Sequence, residues 1–199
     1  MNHITNLRKP DAEQRMRQKL HRWGLTGPPA IVSRRVLRRL RMIRELVTPR
    51  VSAACFGTLW NRWTTHRRFQ RRHFESNVCV LGCGGEAEDS LEHYAFCQAV
   101  RQVADKTLRI DIISEGTKDW MFLNSAGVDD ADTMVCTALL VYAVYNATNH
   151  YRGAGAATTA VAVDSLKHHL KNVVNGHASN SELLDNRWAD TRAAKRRRQ

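Results

Sequence analysis

Four potential metal ligands fall within nineteen residues of this chain: Cys79, Cys83, His93 and Cys97, spaced C-x3-C-x9-H-x3-C. Gly82, Gly84 and Gly85 permit a tight turn around the first pair. The second pair is predicted to lie near the start of a helix, where residues four apart share a face. Three thiolates and an imidazole favour four-coordinate Zn²⁺. Four protein ligands leave no open position for water, so the expected site is structural rather than catalytic. An ion held there would pin the short loop to the following helix. The competing reading is three buried cysteines and a surface histidine that are merely close in sequence.

The other two cysteines, Cys55 and Cys136, sit on apolar stripes and read as small core residues. An odd total of five cysteines fits a reducing, intracellular compartment better than a disulfide framework. The first twenty residues are rich in charge and lack an apolar core, so no secretory signal is expected. The most apolar stretch, residues 134–147, is too short to span a bilayer and contains Asn146, so no membrane partner is expected.

Periodicity predicts an all-α chain with one irregular zinc loop. Residues 11–21 read as a helix broken by Gly24, Gly27, Pro28 and Pro29. Ser33 reads as the N-cap of the next helix. That helix sets Val36, Leu37, Leu40, Ile43 and Val47 against a cationic face of Arg34, Arg35, Arg38, Arg39, Arg41 and Arg44. Arg34, Arg38 and Arg41 form a ridge on one side. Thr48-Pro49 stops that helix and starts another over 50–63, either continuous or broken at Gly57. Ser90 or Asp89 is expected to cap a helix running to about Leu108. A central apolar helix is expected from Asp130 to about Tyr151, and a last one from Ala156 to Val174. The predicted organisation is a basic helix and linker (1–30), a helical zinc-knuckle region (31–110), a helical hairpin packed on it (111–178) and a disordered basic tail (179–199).

Charge divides the chain further. With 31 Lys+Arg against 19 Asp+Glu the net charge is +12, concentrated in the first 75 residues and in the tail. Such an excess points to a polyanion, nucleic acid before membrane. Around Thr64–Phe74, cations alternate with aromatics, a pattern suited to phosphate contact and base stacking. The expected nucleic-acid contacts are Arg62, Arg67, Arg68, Arg71 and Arg72 on phosphates, and Trp63 and Phe69, with Phe74, on bases. No helix shows a base-reading Asn or Gln pattern, which favours single-stranded or structured RNA over the DNA major groove. The alternative for the arginine run is a solvated face, or packing against Glu86, Glu88 and Asp89. The run Lys195, Arg196, Arg197 and Arg198 suggests a nuclear address or further phosphate contacts.

The stretch Arg67-Arg68-Phe69-Gln70-Arg71-Arg72, then Cys79, Leu81-Gly82-Cys83, Glu88-Asp89-Ser90-Leu91-Glu92-His93-Tyr94 and Cys97, resembles the CCHC zinc-binding region that follows the polymerase domain of LINE-type (non-LTR) retrotransposon reverse transcriptases. Asn61-Arg62-Trp63-Thr64-Thr65 is similar to what precedes that region. The likeness covers roughly residues 35–110, with a looser helical match to about 175. It implies an RNA-handling module, with a polymerase or a larger complex as a further partner. The polymerase engine itself is not expected. The Asp129-Asp130 pair has no aromatic before it and reads as a helix cap, and two-metal phosphoryl transfer needs carboxylates on a palm scaffold. A fragment, a decayed copy and a separately used module all fit.

No hydrolase, nucleotide-binding or zinc-deaminase signature is present, and His168-His169 reads as a surface pair. The expected function is therefore non-catalytic: a zinc-stabilised nucleic-acid-binding module. The alternative is a helical protein-interaction scaffold with a purely structural zinc site.

Overall fold

Proline and apolar periodicity set most of the helix boundaries. The computed structural model describes residues 12–69, 78–84, 87–111, 118–125 and 130–174. Helix α1 (Ala12–His21) buries Met16 and Leu20, four apart on one face, with Trp23 beyond its end. Helix α2 (Pro29–Leu46) starts at Pro29, whose missing N–H costs nothing in a first turn. Ser33 is therefore not the N-cap. It lies buried inside the helix and donates its hydroxyl to Ala30 O at 3.1 Å.

Arg39 also departs from expectation. It is buried rather than part of the cationic face, and its guanidinium donates to Leu123 O (3.0 Å) and Ser125 O (2.8 Å). Those carbonyls follow a 3₁₀ turn, Asp119–Phe122, closed by Leu123 at φ 60°. Burying a guanidinium is tolerable where carbonyl acceptors satisfy it.

Helix α3 (Pro49–Leu59) again begins on proline and runs unbroken through Gly57. Val51, Cys55 and Leu59 line its buried side. Helix α7 (Ala131–Ala154) is capped by Asp130, whose carboxylate accepts from Asp132 N and Thr133 N at 3.0 Å. From Met134 to Val144 it is buried nearly all round, as a helix at the centre of a bundle must be. It packs against α2, α3 and α8 (Thr159–Val174). Helix α8 starts three residues later than the periodicity suggests and buries one face through Ala162, Val163, Leu166 and Leu170.

The expected helix from Ser90 to Leu108 is instead three pieces: α5 (Leu91–Tyr94), α6 (Gln98–Val103) and a π turn, Ala104–Leu108. The break falls at Ala95–Cys97, because Cys97 is extended (φ −57°, ψ 131°) and serves as the N-cap position of α6. Helix α6 packs on α8. One contiguous apolar cluster runs from Met16 to Val174 and includes Cys55 and Cys136. Among the described residues there is no strand beyond an isolated antiparallel bridge, Val78 to Glu88, so the fold is all-α. No described helix is long and apolar enough to cross a membrane. The tail from 179 onward lies outside the described residues.

Candidate metal centre

The first ligand pair stands on a turn held from both sides. Cys79 N donates to Ala87 O, extending the Val78–Glu88 bridge, and Gly82 N donates to Cys79 O at 3.3 Å. Gly82 has φ +75°, and a Cβ there would sit 2.6 Å from the backbone of Thr158 and Thr159. Only glycine satisfies both the left-handed conformation and the close approach. The turn is stapled to the α7–α8 connection: Ala157 N donates to Val80 O (3.0 Å), and Thr159 Oγ1 donates to Gly82 O (2.6 Å).

The second pair comes from α5 and the break after it. Ser90 is the N-cap, accepting from His93 N at 3.1 Å. His93 lies in α5, whereas Cys97 lies beyond it, so the two do not share one helical face as their spacing suggests. The break nonetheless aims both at the same point. The ligand atoms of Cys79, Cys83, His93 and Cys97 all lie within 4.8 Å of one another.

Cys97 Sγ is 4.0 Å from Cys79 Sγ and 3.3 Å from Cys83 Sγ, and no disulfide joins them. Sulfurs on a tetrahedral ion at about 2.3 Å would be about 3.8 Å apart, so the observed separations bracket the required one. His93 Nε2 is buried with no hydrogen-bond partner. Such an atom is expensive to leave unsatisfied, and a metal would satisfy it. The four side chains can hold a metal ion.

Their acid–base states diverge: two of the four are shifted toward the ligating form and two away from it. Hydrogen bonding from Cys97 lowers the Cys79 thiol to about 4 and the Cys83 thiol to about 6. Cys97 is pushed up by its hydrogen bonds to those two sulfurs and by burial. Burial opposes charge on His93, but the adjoining Cys79 and Cys83 sulfurs raise it above its ordinary value. Ligation requires the thiolates and a neutral imidazole, so binding releases protons.

The basic segment docks directly on this centre through Asp89. The Asp89 carboxylate accepts from His66 N (2.8 Å), at the start of the short helix α4 (His66–Phe69), and from the Tyr94 hydroxyl (2.5 Å). It also accepts two bonds from Arg152 of α7 (3.1 and 2.9 Å), while Asp89 O accepts from Arg67 N at 3.3 Å. Burial works against charge on Asp89, yet Arg152, Tyr94 and His66 N together hold its carboxyl below the ordinary value. The hub role of Asp89 was not read from the sequence. Its acidic run was visible, but Arg152 lies 63 positions away with no local pattern to link them.

The proposed nucleic-acid residues fare unequally. Trp63 is fully buried: Nε1 donates to Thr58 Oγ1 at 2.9 Å, and the ring packs on Tyr145 (5.5 Å) and Tyr94 (6.0 Å). It is a core residue and offers no face to a base. Arg62 is exposed, with its guanidinium 5.5 Å from the centre of the Phe56 ring. Arg67 is exposed and meets Glu88 (3.4 Å) and Glu92 (3.6 Å) in screened ion pairs. Arg68 is exposed and donates to Trp63 O at 3.2 Å. Phe69 closes α4. Arg71, Arg72 and Phe74 lie outside the described residues, as do Lys195, Arg196, Arg197 and Arg198.

No protein-family model, no curated protein and no solved structure matches this chain.

Proposed function

We propose that the Cys79, Cys83, His93 and Cys97 cluster holds Zn²⁺ as a closed structural site, and that the module it stabilises binds RNA through the basic segment beside it. Three soft thiolate donors with one imidazole, the members of the cluster among the described residues, suit Zn²⁺ over the hard, oxygen-seeking cations. Zinc bound there would supply folding free energy and no chemistry of its own.

The observation that carries the reading is the docking of α4 on the knuckle. Asp89 lies between the two ligand pairs and takes the backbone N–H of His66 and, through its own carbonyl, that of Arg67. The cations of Arg67 and Arg68 are thereby presented from a fixed base beside Arg62, and Arg71 and Arg72 follow them in the sequence. Phe69 is the aromatic assigned to stacking, in place of Trp63. The likeness of the stretch from Arg67 to Cys97 to the post-polymerase region of LINE-type reverse transcriptases favours RNA as the polyanion.

The test is a salt titration of binding to single-stranded RNA. Several phosphate contacts make the affinity fall by orders of magnitude over a few-fold rise in salt. Arg67→Ala with Arg71→Ala should weaken binding at fixed salt and leave the melting temperature within a few degrees. Equal binding by that variant rejects the segment as the contact surface.

A further inference from the structure

Helix α2 carries a row of exposed cations on the side away from the core. Residues 12–50 hold eleven Lys and Arg against two acids, Glu13 and Glu45. Arg39 and Arg35 are built into the fold. Arg39 is buried on the Leu123 and Ser125 carbonyls, and Arg35 donates to Asn124 O at 3.1 Å. Arg34, Arg38, Arg41 and Arg44 are exposed. Arg34 meets Glu13 at 3.3 Å in an exposed ion pair, an interaction that is screened and readily exchanged.

At 100° and 1.5 Å per residue, Arg34, Arg38 and Arg41 fall within an arc of about 60° and span about 10 Å along the axis. Their spacing is set by a rigid helix whose other face, Val32, Val36, Leu40 and Ile43, is locked in the core. Residues 29–46 contain no aromatic, no Asn and no Gln, so α2 offers no aromatic platform for unpaired bases and no amide for an adenine edge. Guanidinium groups in a row, without aromatic platforms beside them, match a polyanion whose charge is outside and whose bases are already stacked on one another.

We propose that the exposed face of α2 is a second nucleic-acid surface, which takes the sugar–phosphate backbone of a base-paired helix without reading its sequence. It stands on the α2 charge alone and does not depend on the single-strand reading of the Arg62–Arg72 segment. An anionic membrane fits less well. Ile31 (51% exposed) and Met42 (37%) are the apolar residues on this face, about 16 Å apart along the helix, whereas an interfacial helix needs a continuous apolar side.

The experiment uses the full chain and four probes: a short RNA duplex, a DNA duplex of the same sequence, a single-stranded RNA and phosphatidylserine vesicles. Arg34→Gln, Arg38→Gln and Arg41→Gln combined should weaken duplex binding about ten-fold or more at fixed salt, and lower the slope of log affinity against log salt by about 2.7. Single-stranded RNA binding should stay within about two-fold. The corresponding triple lysine variant should keep the slope. Arg41→Gln alone, the mildest change, should lower it by about 0.9. Tighter binding of the RNA or the DNA duplex names the source of the backbone, and either supports the proposal. An unchanged duplex slope overturns it. So does an equal loss on duplex and single strand, or a loss confined to vesicles. Failure of the wild-type chain to bind single-stranded RNA would reject the Arg62–Arg72 reading and leave the duplex result to decide this one.

Discussion

Arg152, near the C-terminal end of α7, grips Asp89, four residues before the candidate ligand His93, through two bonds of 3.1 and 2.9 Å. Both side chains are largely buried, at 15% and 4% exposure. The pair joins the central helix to the knuckle, and the same carboxylate seats α4. Metal loop, basic segment and core are thus one mechanical unit.

Asp89→Asn leaves the Arg152 charge buried without its counter-ion. Breaking one side of such a pair costs about 3–5 kcal/mol, so the urea midpoint should fall steeply. A loss under about 1 kcal/mol would show that the pair is solvated in solution.

The same carboxylate predicts an acid limb. Asp89 holds its proton less readily when folded than the ordinary value of 3.8. Its contribution is therefore full above that pH and drains away as pH falls below it, because the unfolded chain takes up the proton first. The stability gap between wild type and Asp89→Asn should be constant from neutral pH down to about 5 and should close progressively below 3.8. A gap independent of pH down to 2 would contradict the assignment.

Gly82 and Gly84 separate two costs of a side chain. Both have positive φ, at +75° and +68°, but a Cβ at Gly84 meets open space whereas one at Gly82 meets the Thr158–Thr159 backbone. Gly84→Ala should cost about 1–2 kcal/mol from the left-handed conformation alone. Gly82→Ala should cost about 2–3 kcal/mol more, since the α7–α8 connection must move away. Thermal melts of the two variants measure the difference, and equal losses would refute the close docking of knuckle on α8.

Trp63→Phe removes the Nε1–Thr58 hydrogen bond and some packing. It should lower stability by about 1–2 kcal/mol and leave RNA affinity per folded molecule unchanged. A several-fold drop in affinity at full folding would return Trp63 to the binding surface.

The ligand set was legible because all four residues lie in one short stretch with glycines between them, so no tertiary knowledge was needed. The five longest helices and the core stripes followed from the 3.6 period, whereas α4 and the division of the expected 90–108 helix did not. What escaped had weaker or conflicting local signals. Ser33 resembled a cap, but Pro28-Pro29 upstream supplied a better start. Arg39 was counted with the cations by charge, although its position, three after Val36 and four before Ile43, already placed it at the edge of the buried face. The x3 spacing of His93 and Cys97 suggested a single helical face, and nothing local announces the break at Ala95–Cys97. Helix α3 ends at Leu59, four residues short of the expected 63, so Trp63 leaves the helical phase, and its burial depends on Tyr94 and Tyr145, 31 and 82 positions away. The Asp89–Arg152 pair is invisible for the same reason.

Metal content of the purified full-length chain, measured by native mass spectrometry before and after a strong chelator, tests the account most directly. It predicts one zinc per chain, a chelator-induced loss of the cooperative melt, and a substoichiometric, less stable product from Cys79→Ser or His93→Ala. A metal-free chain with an unaltered melt in all three forms would contradict it.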